Sequence, residues 1–207
     1  AEFKFIKKIK EPGSPAMDRG KDMHKLCEEY IRGNYEEIPS QLKEFEEAFE
    51  VLRDLYIHGH VFCESDWAVD KNWQKTGWFE EDTWGRAKVD AFVYEEGISK
   101  EARVIDFKTG RYDGNQETHR EQCELYGAVA LSRYPELESI QTEMWYLDHG
   151  KIDRYIYTPQ SIKAKQEKLN QRALAMTTAE EFPANPSKFK CKWCYFGKQN
   201  MCREAAA

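Results

Sequence analysis

The fold class this sequence predicts is mixed α/β, a central sheet covered by helices, and two observations lead to it. The first is a pair of runs between Gly85 and Gly110 in which apolar and polar residues alternate, separated by a polar break over 95–101 that contains Gly97 and Ser99. Alternation at period two marks strands, and the break marks the turn of an antiparallel pair. The second is the order of patterns along the chain, which reads helix, helix, three strands, helix, two strands, helix. Strands that alternate with helical segments bury both kinds of apolar face when helices cover a sheet.

Each element has its own local reason. The stretch 11–15, Glu-Pro-Gly-Ser-Pro, is a lead-in. Over 17–31 Met23, Cys27, Tyr30 and Ile31 recur at helical spacing, and Gly33-Asn34 ends the helix. Ser40 is the expected N-cap of a second helix carrying Leu42, Phe45, Phe49, Leu52 and Tyr56. A strand over 61–70 leads into a tryptophan-rich loop over 71–83, ahead of the two central strands. A helix over 118–134 puts Gln122 and Tyr126 on one face and is closed by Pro135. A hairpin around His149-Gly150 and a helix over 161–176 follow. One main domain over 1–182 and a basic, cysteine-rich tail over 183–207 packed on it is the expected organisation.

With 41% hydrophobic and 33% charged residues, the chain has the composition of a soluble globular protein, not of a disordered one. No apolar run approaches the ~18 residues of a membrane span, and no charged-then-apolar leader opens the sequence. The expectation is therefore a cytoplasmic protein, of a bacterium or a virus-infected cell, with no membrane partner. The net charge of −6 argues against nucleic acid, but the charge is uneven. Lys4, Lys7, Lys8 and Lys10 open the chain, and Lys188, Lys190, Lys192, Lys198 and Arg203 close it. Such ends can hold a phosphate backbone or serve as solvated tails. Six cysteines in this setting suggest reduced thiols or metal ligands.

The chemistry concentrates in the central strands. Side chains two apart share a face, so Asp106 and Lys108 stand together while Ile105 and Phe107 point the other way. Asp90, taken as lying mid-strand with Val89 and Ala91 on one face, is brought beside Asp106 by antiparallel pairing. Two acids and a lysine then converge, a costly arrangement among apolar neighbours unless the charges are paired or bind a cation. Hard oxygen ligands suit Mg²⁺ or Mn²⁺. An ordinary surface ion pair between Asp106 and Lys108 is the plainer reading of the same residues.

Four motifs align in order: Gly20-x-x-x-His24 on the first helix, Gly-Arg-x-x-x-Asp90 on one strand, Asp106-Phe-Lys108-Thr-Gly on the next, and Gln122-x-x-x-Tyr126 on the helix after it. Together they resemble the PD-(D/E)XK nuclease superfamily, in its RecB-like exonuclease branch. The resemblance implies a restriction-endonuclease-like core and a metal-dependent DNA exonuclease of recombination, repair or viral DNA processing. It makes Asp90, Asp106 and Lys108 catalytic, and His24, Asp90, Asp106 and the Phe107 carbonyl ligands to one or two Mg²⁺ or Mn²⁺ ions. Gln122 and Tyr126 would support the site and touch the nucleic-acid strand. The expected partner is DNA, single-stranded or with a free end; no protein partner is implied.

Arg19, beside that first helix, is a candidate for a terminal phosphate, with a 5′ to 3′ direction following from it. Cys191-x-x-Cys194 and Cys202 resemble the C-terminal triplet that helps hold an iron-sulfur cluster in some RecB-like nucleases. No cysteine precedes His24, and four thiolates are usual, so a tail packed by Trp193, Tyr195 and Phe196 without a cluster is favoured over a cluster or a zinc site. Trp73 and Trp78 are candidates for base stacking, with core packing the commoner use. The competing function classes are a nucleic-acid-binding module with a decayed nuclease site, an iron-sulfur nuclease, and a metal-dependent structural protein built on the tail cysteines.

Overall fold

The alternating runs form the centre of a six-stranded sheet in the computed structural model, which describes residues 2–205. The strands are β1 (Val61–Val69), β2 (Lys75–Thr76), β3 (Gly85–Val93), β4 (Glu101–Lys108), β5 (Ser139–Tyr146) and β6 (Lys151–Tyr157), in spatial order β2-β1-β3-β4-β5-β6. Neighbours run antiparallel except β4 and β5, which are parallel. A parallel pair needs a crossover, and helix α3 (Gln116–Arg133) supplies it.

The two faces of the sheet bury different helices. On one, α1 (Pro15–Ile31) and α2 (Glu46–Ile57) place Cys27, Tyr30, Phe49 and Leu52 against Ile105, Phe107 and Trp145. On the other, Cys123, Tyr126 and Val129 of α3 meet Val89, Val104, Ile140 and Met144, and α4 (Pro159–Thr177) adds Ile162. These contacts bound residues 16–172 as one compact unit. Ser40 does not cap α2: it opens a 3₁₀ turn, Ser40–Phe45, and its hydroxyl donates to Gln41 Oε1. Glu46 and Glu47 in the first turn of α2 complement the helix dipole instead.

One departure from simple alternation matters. β1 and β3 pair in a single register from Val61↔Val93 to Val69↔Gly85, but the ladder skips the position where Glu64 faces Asp90. Ala91 and Val93 belong to the α1/α2 core, whereas Ala87 and Val89 belong to the α3 core. Val61 and Trp67 differ in the same way on β1. Both strands thus change pleat phase at Glu64 and Asp90, and Val89 and Ala91 do not share a face as simple alternation expects. Glu64 takes φ 53° to make the change, a left-handed conformation unusual for a non-glycine residue.

The tryptophan-rich loop is partly interior. Trp73 is 9% exposed within the α3-side core, so it is not available for stacking on a base, and Trp78 is half-buried. The second compact unit comprises 2–15 and 173–205. It holds a helical turn at Glu2–Ile6 and two short helices, α5 (Lys188–Trp193) and α6 (Tyr195–Lys198). Phe3 stacks on the buried Phe196 at 5.1 Å between ring centres. Trp193, expected to pack this tail, is 66% exposed. Among the described residues, no helix is long and apolar enough to cross a membrane.

Gly127 shows how closely α3 sits on the sheet: a Cβ there would stand 2.7 Å from Tyr157 Cδ2. Alanine favours a helix interior over glycine by about 1 kcal/mol, but forcing a methyl against a buried ring costs about 1–3 kcal/mol. Gly127→Ala should therefore lower stability by up to roughly 2 kcal/mol in urea denaturation, against the helix-propensity trend.

Candidate active site

The β3–β4 ladder ends at Ala91↔Ile105, and beyond it the Asp90 carboxylate replaces a backbone acceptor. Asp90 Oδ2 accepts the Phe107 amide at 2.7 Å, and Oδ1 lies 3.0 Å from His24 Nδ1. Asp90 is 8% exposed. Burial pushes its carboxyl above the usual range, and the hydrogen bond from His24 and that from the Phe107 amide oppose the shift. His24 is itself raised, chiefly by the hydrogen bond to Asp90, with burial acting the other way. The two directions are compatible because burial, not the pairing, dominates at Asp90.

Glu64 completes this cluster. Its carboxylate, His24 and Asp90 each offer a ligand atom, and the three atoms lie within 4.8 Å of one another. Glu64 Oε2 also pairs with Lys88 Nζ at 2.6 Å. The sequence reading did not single out Glu64. The available signal was register: once β1 is laid antiparallel to β3, an acid faces Asp90.

The second cluster lies on the α3 side. Lys108 Nζ stands 2.5 Å from Asp106 Oδ2 and donates to Gln122 Oε1 at 2.9 Å. Gln122 Nε2 donates to Tyr126 Oη at 2.5 Å and to Asp106 Oδ1 at 3.1 Å, and the Tyr126 hydroxyl donates to Asp106 Oδ1 at 2.6 Å. Lysine can only donate and a carboxylate only accept, so the amide of Gln122 has one sensible orientation. Tyr126 is 4% exposed and is turned to Asp106 rather than to an open surface. Burial and the neighbouring Asp106 charge keep its phenol protonated far above the ordinary range.

The donor set fits a divalent cation. Glu64 and Asp90 supply hard oxygens and His24 a nitrogen, a combination suited to Mg²⁺ and, with its imidazole, to Mn²⁺. Asp106 Oδ2 is buried with no hydrogen-bond partner, its short approach to Lys108 being ionic in character without hydrogen-bond geometry. An open lone pair on a 3%-exposed carboxylate is what a ligand atom requires. Cavity size alone does not locate this site: a pocket of about 420 Å³ lies at the opposite end of β4, beside Glu101, Arg103 and Gln141.

The remaining candidates lie elsewhere. Arg19 donates in bidentate fashion to Asp148, at 2.9 and 2.5 Å, and Asp148 also accepts the Gly110 amide at 2.6 Å. The guanidinium holds the Asp148 carboxyl below its usual range. Because α1 begins at Pro15, the amide of Gly20 is inside the helix and not among its free N–H groups. A terminal phosphate at Arg19 would therefore meet no free helix amide at Gly20. Cys191, Cys194 and Cys202 carry free, half-buried thiols and take part in no metal-holding group among the described residues.

Fold and site together define a restriction-endonuclease-like α/β protein. The chain belongs to the PD-(D/E)XK nuclease superfamily, whose family profile matches residues 2–203. Nucleases of that superfamily use divalent metal ions. None of the curated proteins matches this chain. Among solved structures, a protein of Eubacterium rectale described as "Putative exonuclease" is similar in fold, with a TM-score of 0.51 at 14% identity over 99% of this chain and 81% of its own. A protein described as SSO0001 is more distant, with a TM-score of 0.39 at 13% identity over 89% of this chain and 97% of its own.

His119, on α3 one turn before Gln122, offers a titration at the edge of the site. Its Nδ1 lies 2.9 Å from Tyr146 Oη, and burial together with the Lys108 charge lowers its pKa. Between that lowered value and the unfolded value near 6.5, the unfolded chain binds a proton the folded one does not, so stability falls as pH drops through this window. His119→Gln should lose less stability than wild type between pH 7 and pH 5, measured by urea midpoints at each pH.

Proposed function

We propose that this chain is a metal-dependent DNA exonuclease, hydrolysing phosphodiester bonds from a strand end, 5′ to 3′, in recombination, repair or viral DNA processing. The observation that carries the reading is the joining of the two clusters through one amide. Asp90 is bonded to the backbone of Phe107, and Phe107 separates Asp106 from Lys108. His24, Glu64, Asp90, Asp106 and the Phe107 carbonyl would hold one or two Mg²⁺ or Mn²⁺ ions. When bound, such an ion neutralises charge on the phosphoryl oxygens and lowers the pKa of a water.

The chain's own groups act around that chemistry. Lys108, fixed by Asp106 and Gln122, keeps a positive charge beside the attacking water and orients it. Gln122 and Tyr126 position Asp106 and Lys108. The leaving 3′ oxygen takes its proton from water. The 5′ direction rests on Arg19. Asp148 occupies one N–H on each terminal nitrogen, leaving Nε and the other two protons for a phosphate. The pair is nearly neutral overall, so Arg19 would contribute position more than charge.

End-labelled linear DNA, single- and double-stranded, and a covalently closed single-stranded circle test the reading in Mg²⁺ or Mn²⁺. Linear DNA with a 5′ phosphate should be shortened, the circle should persist, and chelation should stop the reaction. Cutting of the circle at the linear rate would remove end dependence. Indifference to the 5′ phosphate and to Arg19→Ala would remove the polarity. No hydrolysis of any substrate would leave a binding module with a decayed site.

Two substitutions separate chemistry from folding. Asp106→Asn should lower turnover by about 100-fold or more, since it removes charge stabilisation in the transition state. Glu64→Gly should raise the divalent-ion concentration needed for half-maximal rate by about tenfold or more. Glycine accepts φ 53° freely, so its urea stability should equal or exceed wild type by up to about 1 kcal/mol. A Glu64→Gly protein with unchanged metal requirement would exclude Glu64 from the ligand set.

A further inference from the structure

We infer that the unit formed by residues 2–15 and 173–205 carries a docking surface for single-stranded DNA, with Trp193 as a base-stacking ring and the surrounding lysines as phosphate contacts. The identity of the strand as DNA rests on the nuclease reading above; the surface itself rests on separate observations. Phe189 and Trp193 are 77% and 66% exposed and stand four residues apart on α5, hence on one face. Two large rings left in water are unfavourable for the free chain and call for an occupant. Lys192 and Lys198 hold their ammonium groups 5.4 and 5.6 Å from the Trp193 ring centre. Lys188, Lys192 and Lys198 also line a pocket of about 480 Å³ with Gly197 and Asn200.

Charge complementarity selects the occupant. From Phe182 to Arg203 there is no acid, while Lys188, Lys190, Lys192, Lys198 and Arg203 are basic, in a chain whose net charge is −6. Single strands are held by such a combination, rings stacking on bases of any sequence and cations following the phosphates. A base takes the place of an ammonium over the indole, and the displaced ammonium meets the adjacent phosphate. An anionic bilayer is the less suitable occupant, because α5 reads Lys-Phe-Lys-Cys-Lys-Trp and offers no aliphatic face.

The test is binding of the whole chain to fluorescein-labelled dT30 in EDTA, followed by anisotropy over a range of salt concentrations. Trp193→Ala should weaken binding about 5- to 100-fold, and Trp193→Phe should recover most of the loss. The double substitution Lys190→Gln with Lys192→Gln should reduce the slope of log affinity against log salt by about 1.4, at roughly 0.7 for each lost phosphate contact. Thermal unfolding of these surface variants should match wild type. Trp193→Ala binding within twofold of wild type would overturn the inference. So would a Trp193-dependent affinity for phosphatidylserine vesicles, or a Trp193-dependent change in oligomeric mass, with DNA binding unaltered. A wild type that binds dT30 through Trp193 yet cuts no DNA in Mn²⁺ would sink the nuclease reading and leave this surface standing.

Discussion

The hydrogen bond from the Phe107 amide to Asp90 is the contact on which the site depends. β3 and β4 stop pairing after Ala91↔Ile105, and the next inward amide of β4 would be buried without a partner. An unsatisfied buried donor costs about 1–3 kcal/mol, and Asp90 removes that cost while its other oxygen faces His24. The strands can therefore separate without breaking the rule that buried backbone groups are paired. A divergence of strands that would otherwise be a defect becomes the place where two layers of helices lend side chains to one spot. His24 comes from the α1 side, and Gln122 with Tyr126 from the α3 side.

This arrangement requires the change of pleat phase at Glu64 and Asp90. Without it, Val89, Ala91 and Val93 would all face one core, and the other core would lose part of its lining. The left-handed backbone at Glu64 carries a strain of order 1–3 kcal/mol, which the burial of Ala91 and Val93 against α1 and α2, and of Ala87 and Val89 against α3, offsets. The same strain directs an acid toward Asp90. Glu64 and Asp90 are then close together beside His24, with Lys88 paired to Glu64 and His24 drawn toward its charged form. A divalent cation held there would compete with that proton, since imidazole must be neutral to coordinate.

The residues legible in the sequence are those whose relations are set by local geometry. Asp106 and Lys108 share a face because a strand has period two, and Gln122 meets Tyr126 because a helix returns every four residues. Antiparallel pairing sets Asp90 opposite β4, but its carboxylate reaches the Phe107 amide and His24 rather than Asp106. What was not legible depended on partners far along the chain. Glu64 is positioned by a positive φ that glutamate does not favour and no local pattern announces. Arg19 is engaged by an aspartate 129 residues away. Trp73 and Trp193 have the same intrinsic preference, yet one is in the core and the other in water, because burial belongs to the assembled sheet and not to the residue.

That last contrast bears on how an acidic chain is suited to an anionic substrate. A site rich in carboxylates repels phosphate until a cation occupies it, so the attraction that brings a strand to the protein has to come from elsewhere. The larger unit uses much of its positive charge internally: Lys108 is paired with Asp106, Lys88 with Glu64, Arg19 with Asp148 and Lys165 with Glu124. The lysines over 188–198 have no acid near them in sequence, and they surround exposed rings. On the proposed readings, capture and chemistry would fall to different charges. The carboxylates could then be as dense as a bound metal requires, because attracting the strand would not fall to them.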